Sequence, residues 1–468
     1  MPRHARRVEL PLALPASDAP LRHRIADAIV ALLVSGQLRP GDMLPASRAL
    51  AAELSVSRNA VLAAYDELAA AGFIQAAAGA STVVSPGADL AARAGVASHV
   101  ASPRAEVETY PVVPAAPHWN LLPGFPDATL IGTAGWRAAW RVAAAAPVSS
   151  GLPFSSSCWP LQEALAVHLR RTRGVTAAPQ EIILVPGVSA ALRALATAAG
   201  LAGRAVAFEE PGYPEGRRAL ISAGAVVRPV AVDSGGLDPA GLADGDAAVY
   251  TTPAHQYPLG ARLSAPRRAA LIRWARQSGA LVIEDDYDGE FRYDVRGLPA
   301  LHALDGGQDV VAYVGTASKI LSPGLRIAWV VAPARLRGPL SDALEASDES
   351  VNVPAAQALA HYISSGSLTR HLAGAGRTYA ARRHALITAL APALAVSGVD
   401  AGLHLVAGLP AGTDEHALKD RLAQAGLAVD VLRDYAAASR PAPALVCGYA
   451  LLPETAAAAA AAVIASQL

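Results

Sequence analysis

One lysine in this chain stands among residues suited to covalent chemistry. The 468-residue sequence holds 39 lysines and arginines; two are lysines, Lys319 and Lys419, which leaves 37 arginines. A guanidinium stays protonated in proteins and cannot attack a carbonyl, whereas an ammonium in a desolvated, electropositive pocket can lose its proton and form a Schiff base. A chain that uses arginine wherever a cation suffices keeps Lys319 for the task that arginine cannot perform. The apolar run VVAYV leads into Gly315-Thr316-Ala317-Ser318-Lys319, and Arg326 follows after a Pro-Gly turn. The hydroxyls of Thr316 and Ser318 with the Arg326 guanidinium form a phosphate clamp beside an aldehyde-binding amine. The alternative is a surface lysine after a strand.

Three other stretches carry complementary chemistry. Pro186-Gly187-Val188-Ser189 joins a strand to a helix, so amides at that helix start can hold an anion, the same phosphate as Arg326. Tyr213, in Pro211-Gly212-Tyr213-Pro214, is placed to stack on a flat ring. IEDDYDGEF, residues 283–291, ends another apolar strand: Asp285 can face a protonated pyridine nitrogen, and Tyr287 can hydrogen-bond a phenolic oxygen. The rival reading, a divalent-metal site built from Asp285, Asp286 and Asp288, lacks an accompanying histidine or nucleotide loop, so no metal is expected.

The elements that must position these residues alternate between strand and helix. Strand-like runs at 181–185, 204–208, 247–251, 281–284, 310–314 and 327–331 are separated by helical runs at 190–199, 215–223 and 265–278. This pattern predicts an α/β fold with a mostly parallel, doubly wound sheet and ligands at the carboxyl ends of its strands. The candidate residues fall at those ends.

Residues 1–84 read differently. Apolar positions Leu21, Ile25, Ala28, Ile29 and Leu32 predict a helix that ends before Gly36. Two short helices, 46–54 and 58–71, flank Ser55-Val56-Ser57, with Ser57 as N-cap and Leu50, Leu54, Val56, Val61, Leu62, Tyr65 and Leu68 as shared core. A helix-turn-helix presents the start of its second helix to a major groove, here Ser57, Arg58 and Asn59, with Ser47 and Arg48 from the helix before. After Gly72, FIQAAAGASTVV reads as a wing hairpin around Gly79, carrying Thr82. A winged helix that binds protein is the alternative.

Equal numbers of acidic and basic residues, 39 each, give the chain no bulk attraction to nucleic acid or membrane, so any DNA contact is local. Up to Ile74 there are eight arginines against seven acids, a balance of +1. So neutral a reader is expected to bind double-stranded DNA as a homodimer spanning two half-sites. Two cysteines, Cys158 and Cys447, supply neither a disulfide framework nor a metal cluster, which suits a reducing, cytoplasmic setting. The basic start imitates a signal peptide, but Glu9, Pro11 and Pro15 interrupt it, and no segment approaches membrane-spanning length.

The segment 44–84 resembles the winged helix-turn-helix of the GntR superfamily through LPxSRxLAxxLxVSRxxVxxAYxxLxxxG, although its wing lacks the family's basic residues. LLPGFPD (121–127), EEPGYPEGRRA (209–219), TPAHQYPLGARLS (252–264), IEDDYDGEFRY (283–293) and GTASKILSPGLRIAW (315–329) resemble the fold type I aminotransferase domain that uses pyridoxal 5'-phosphate. Together they resemble the MocR/GabR-type transcriptional regulators over nearly the whole chain. The resemblance implies a winged helix-turn-helix at 1–84, a flexible linker at 85–117, a cofactor-binding large domain at 118–355 and a small α+β domain at 356–468. It implies Lys319 as the aldimine lysine, Asp285 for the pyridine nitrogen, Tyr287 for the ring oxygen and Tyr213 for stacking. Gly187, Ser189, Thr316, Ser318 and Arg326 become the phosphate site, and Ser47, Arg48, Ser57, Arg58, Asn59 and Thr82 the DNA contacts.

Three stretches depart from the family, one of them Gly187-Val188-Ser189-Ala190-Ala191-Leu192, where the family reads Gly-Ser-Gln-Gln-Ala-Leu. Leu152-Pro153-Phe154-Ser155-Ser156-Ser157 replaces a segment whose tyrosine reaches a phosphate across the dimer. Val446, in LVCGYA, stands where aminotransferases place the arginine that grips a substrate carboxylate. Lys419, among Asp414, Glu415 and Asp420, reads as a solvated charge. The expected function is a regulator that senses pyridoxal phosphate, an amine or an amino acid through Lys319; an aminotransferase carrying a DNA reader is the alternative.

Overall fold

The helical spacing at the amino end builds α1 (Leu21–Val34), followed by α2 (Ser47–Glu53) and α3 (Arg58–Ala70). The computed structural model describes residues 10–14, 19–77, 81–99, 118–147, 158–293, 299–398 and 401–468. It divides into two units, Met1–Pro114 and Ala115–Leu468.

In the first unit the Ser57 hydroxyl caps α3 by accepting from the Ala60 amide at 3.2 Å. Leu50, Val61, Tyr65 and Leu68 are buried, Leu54 and Val56 half-buried. Leu62, expected in the core, is 38% exposed, because the buried stripe runs Val61, Ala64, Tyr65, Leu68 and Leu62 lies one helical step off it. Strands β1 (Ile74–Ala77) and β2 (Ser81–Val84) pair antiparallel as the wing; its turn, with Gly79, lies outside the described residues. The expected linker begins as a helix, α4 (Ala88–His99), whose Ala88 and Ala92 are buried against this core. Alanines four apart give little hydropathy contrast, which hides that stripe in the sequence. Residues 100–117 lie outside the description.

The second unit begins with β3 (Trp119–Leu121), α5 (Thr133–Ala145) and α6 (Trp159–Arg173). Alternation follows: β4 (Ile182–Val185), α7 (Val188–Ala198), β5 (Ala205–Glu210), α8 (Pro214–Ser222), β6 (Val226–Asp233), β7 (Gly236–Leu237), β8 (Asp246–Thr251), α9 (Ala265–Ser278), β9 (Leu281–Asp286), α10 (Gly307–Val310), β10 (Val311–Thr316), β11 (Ala328–Val331) and α11 (Ala334–Ala346). One eight-stranded sheet, order β4-β11-β10-β9-β8-β5-β6-β7, collects them. Neighbours from β10 through β6 are parallel, whereas β11 runs antiparallel to both β10 and β4. Leu192 and Leu195 of α7 pack with Leu336 and Leu340 of α11 against one side, and Leu271, Ile272 and Ala275 of α9 belong to a separate cluster with Val249 and Val282.

Helix α12 (Val353–Ser364) packs on α5 and α6. Then α13 (Ser367–Leu390) leads to β12 (Ala395–Ser397), β13 (His404–Gly408), α14 (Glu415–Gln424), β14 (Leu427–Val431), β15 (Ala444–Gly448) and α15 (Ala457–Gln467). The small sheet has the order β12-β13-β15-β14-β3, so its edge strand comes from residues 119–121, which precede the large sheet in the chain. Lys419 is not merely solvated: its Nζ donates to Asp430 at 2.9 Å and Asp434 at 2.8 Å, acids from beyond its own helix.

Beneath the large sheet's carboxyl end, Arg173 of α6 meets Asp286 of β9 at 2.5 and 2.8 Å, both side chains at most 2% exposed. Removing one partner of a buried ion pair leaves an uncompensated charge. Arg173→Met is expected to cost about 3–5 kcal/mol. Thermal unfolding of the second unit's transition checks this; an unchanged midpoint would show that Asp286 is satisfied by Tyr313 alone.

Candidate functional site

The register of two parallel strands builds the site. Val314 of β10 lies opposite Asp285 of β9, so the loop from Thr316 to Lys319 leaves the sheet beside the aspartate run. Val188, Tyr213, Tyr250, Thr252, Tyr257, Asp285, Tyr287, Thr316 and Lys319 line one pocket there. Five of the expected residues, Lys319, Asp285, Tyr287, Tyr213 and Thr316, therefore meet in space.

Lys319 Nζ donates to the Gly124 carbonyl at 2.7 Å, with the Phe125 ring 6.0 Å away. Burial lowers the lysine's pKa, against the attraction of Asp285, Asp288 and Glu215, and so brings the neutral amine within easier reach. Gly124 has φ +79°, a backbone conformation that favours glycine, and a β-carbon there would stand 2.8 Å from Nζ and displace it. Burial also pushes Asp285 up to about 7, against the Tyr250 hydrogen bond and the charge of Lys319. Asp285 Oδ2 accepts from Tyr250 at 2.6 Å, and Oδ1 is buried without a partner.

The three acids of the run diverge. Asp285 takes Tyr250, Asp286 takes Arg173 and Tyr313, and Asp288 Oδ2 faces His255 Nδ1 at 2.9 Å. They do not converge on a cation. His255 Nδ1 lies 3.0 Å from the Tyr287 hydroxyl, and His404 of β13 packs on the His255 ring with centroids 5.0 Å apart. Among the described residues His255, Asp288 and His404 form the one group that could hold a metal ion, with ligand atoms within 4.8 Å of one another. Burial drives His404 down to about 3, so it is neutral; His255, bonded to Asp288 and Tyr287, and the His404 ring packed on it form a bracket behind Tyr287.

At the start of α7 stand Gly187 and Ser189, two of the residues expected to hold an anion. Gly187 has φ +133°, and a β-carbon there would meet the Arg326 guanidinium at 3.1 Å. Ser189 stands in the first turn of α7, so Arg326 and this helix start form one wall. Arg326 itself adopts φ +51° after the turn Pro323–Leu325, a conformation L side chains rarely hold. Thr316 Oγ1 accepts from the Ser318 amide at 3.1 Å, which ties the two hydroxyl residues into one loop. An unpartnered buried carboxylate oxygen, a flanking tyrosine, a glycine-backed guanidinium and a partly desolvated amine fit the groups of pyridoxal 5'-phosphate. Sequence reasoning gave no role to Tyr250, Thr252, His255, Tyr257 or Gly124; for three of them the TPAHQYPLG stretch, residues 252–260, was the available signal.

Val446 is fully buried with Val406, Leu432, Tyr435 and Ala444, and Tyr257 and Leu259 pack on them. An apolar cluster thus surrounds the position where the resemblance would put a carboxylate-gripping arginine. The altered segment 152–157 lies outside the described residues. In the first unit Arg48, Ser57, Arg58 and Asn59 are exposed and Ser47 and Thr82 half-buried, with Arg58 Nε 3.5 Å from the Ser47 hydroxyl. No described helix is long and apolar enough to cross a membrane.

Residues 21–84 match the family of bacterial regulatory proteins, gntR family, and residues 159–441 match aminotransferase class I and II. The chain is 35% identical over 433 residues to the HTH-type pyridoxine biosynthesis transcriptional regulator PdxR of Corynebacterium glutamicum, covering 91% of each. It is 31% identical to the probable rhizopine catabolism regulatory protein MocR of Rhizobium meliloti, over 84% of this chain and 82% of that one. An archaeal alanine:glyoxylate aminotransferase superposes with a TM-score of 0.70 at 25% identity, over 74% of this chain and 90% of that one.

Asp285 and Glu284 are both pushed up to about 7 by burial. Without cofactor, the folded chain binds more protons than the unfolded one between ~pH 4 and these values. The stability these groups contribute is thus full below ~pH 4 and lost as pH rises through 7. The unfolding temperature of cofactor-free wild type should fall more steeply from pH 5 to 8 than that of Asp285→Asn. Equal slopes would mean that Asp285 is already ionised in the fold.

Proposed function

This chain belongs to the MocR-type bacterial transcriptional regulators, in which a GntR-family helix-turn-helix precedes an aminotransferase class I and II domain, and from that membership we propose how it senses. The observation that carries the proposal is the Lys319 amine, desolvated beside Asp285 and bonded to Gly124. Pyridoxal 5'-phosphate is the cofactor: Asp285 Oδ1 holds its ring nitrogen, Tyr287 its ring oxygen, Tyr213 its face, and Gly187, Ser189, Thr316, Ser318 and Arg326 its phosphate. When bound it supplies an aldehyde that Lys319 captures and an electron-withdrawing ring.

Reaction at Nζ would leave the nitrogen at most one hydrogen and so would weaken or redirect its bond to the Gly124 carbonyl. Gly124 follows β3, an edge strand of the small sheet, so the state of Lys319 bears on how that sheet is held. We take the small domain as the two-state element; a ligand shifts it only through different affinities for its two positions. The effector is the cofactor itself or an amine that condenses with it. Val446 disfavours an effector that needs a guanidinium for its carboxylate, and it disfavours ordinary transamination for the same reason.

Arg48, Arg58, Asn59, Ser47, Ser57 and Thr82 contact DNA in this reading. With little net charge per reader, two copies on two half-sites supply the affinity that one lacks, so the acting species is a homodimer, in the cytoplasm where the DNA is.

Added pyridoxal 5'-phosphate is expected to give the purified protein a visible absorption band that Lys319→Ala abolishes; the same spectrum from both would remove that lysine. Arg58→Ala is expected to weaken a mobility shift with the DNA upstream of its own gene about tenfold or more, as for loss of a base or phosphate contact worth ~1–3 kcal/mol. Steady turnover of amino acid and keto acid at ~1–1000 per second would favour the enzyme reading.

A further inference from the structure

Asp285 is asked to remain an anion where burial opposes it. Its neighbours Asp286 and Asp288 push it further towards the neutral form, and Lys319 pulls the other way. Arg173 satisfies Asp286, and His255 faces Asp288. Asp285 alone of the three has neither an arginine nor a histidine beside it and takes the Tyr250 hydroxyl at 2.6 Å.

The choice of a phenol matters chemically. A guanidinium in that place would also hold the carboxylate ionised, but it would neutralise the charge and compete with a pyridinium for both oxygens. A hydroxyl donates one proton and leaves the negative charge for a second partner. Oδ1 is that free oxygen: buried, without a donor, in the pocket shared with Lys319, Tyr213 and Tyr287. The phenol's direction is fixed as well. Its ring stacks on Phe208 with centroids 4.4 Å apart and planes 3° from parallel, and its strand pairs with β9 in a register that sets Tyr250 opposite Ile283, two residues before Asp285. Residues two apart share a face of a strand, so Tyr250 and Asp285 point the same way.

We propose that Tyr250 is a positioning residue for the cofactor's ring nitrogen: its hydroxyl locks Oδ2 of Asp285, keeps the carboxylate ionised, and so presents Oδ1 to the pyridinium. The inference rests on the assignment of Asp285 to that nitrogen, and the experiment separates the two.

Tyr250→Phe keeps the ring and its stacking on Phe208, and is expected to leave the unfolding temperature near that of wild type. Pyridoxal 5'-phosphate, titrated into cofactor-free full-length protein and followed by absorbance, should bind about tenfold more weakly, the effect of losing one hydrogen bond to a charged group. The pH midpoint of the visible band should rise by about one unit: a less ionised Asp285 leaves the ring nitrogen less protonated, and the proton on the Lys319 nitrogen is then held more tightly. In an Asp285→Ala background, Tyr250→Phe should change neither quantity further, because its effect passes through that carboxylate. If Asp285→Ala alters affinity and band but Tyr250→Phe matches wild type in both, the role of Tyr250 is overturned. Equal losses from Tyr250→Phe with and without Asp285 would also overturn it. If Asp285→Ala itself changes nothing, the assignment of Asp285 fails first.

Discussion

The structure depends on holding an amine and a carboxylate together out of water. Lys319 and Asp285 reach each other because β9 and β10 are parallel neighbours in one register, and a slip of one residue would turn Asp285 to the opposite face of the sheet. Burial acts on both groups in the same sense, lowering the lysine and raising the aspartate, so each is moved towards its neutral form while their mutual attraction opposes that movement. A pair balanced in this way responds to a third partner. A solvated pair would not, since water would screen whatever arrived.

That balance requires the surrounding charges to be settled by other means. Glu209 is spent on Thr251, Thr252 and Gln256, Glu210 on the amides of residues 437–439, and Glu284 on the amides of Leu301 and His302. Each of these buried acids has its own donors, mostly uncharged ones. The same logic explains why the sequence can spend 37 arginines freely (39 basic residues less two lysines) and yet place a lysine here: a permanently charged group could not take part in the exchange.

Much of this was legible in the sequence, and the misses have physical causes. The residues Lys319, Asp285, Tyr287, Tyr213 and Thr316 sit at strand ends whose apolar runs are unambiguous, and the expected strands agree with the observed ones to within a few residues. Strand β6 was not anticipated because VVRPVAVD carries Arg228 and Pro229 in its middle; Val226, Val227 and Arg228 are exposed or half-buried, and its far side is covered only by the two residues of β7. The edge strand β3 could not be assigned to the small sheet because its partner β14 lies some 300 residues away, beyond any local signal. Lys419 was misread for a related reason, since its acidic partners Asp430 and Asp434 lie outside the helix that the pattern describes. Tyr250 was missed because a tyrosine inside a buried strand reads as core until its hydroxyl is seen to have a partner.

The small domain meets the pocket through two contacts that differ in kind. Gly124, just after β3, accepts from Lys319, and His404 of β13 packs on His255 in the bracket behind Tyr287. Both strands belong to the same five-stranded sheet, although β3 and β13 are separated within it by β14 and β15. One contact is a hydrogen bond from the amine that the proposed function makes reactive, so in that proposal it changes with the state of Nζ. The other is a neutral, fully buried imidazole that also bonds the Pro258 carbonyl at 2.9 Å, and chemistry at Lys319 leaves it intact. In the proposed sensor, a sheet whose edge strand answers to Nζ while an inner strand stays packed on His255 is held unequally at its two contacts, and that inequality is what lets a change of a single bond at Nζ be felt beyond the pocket.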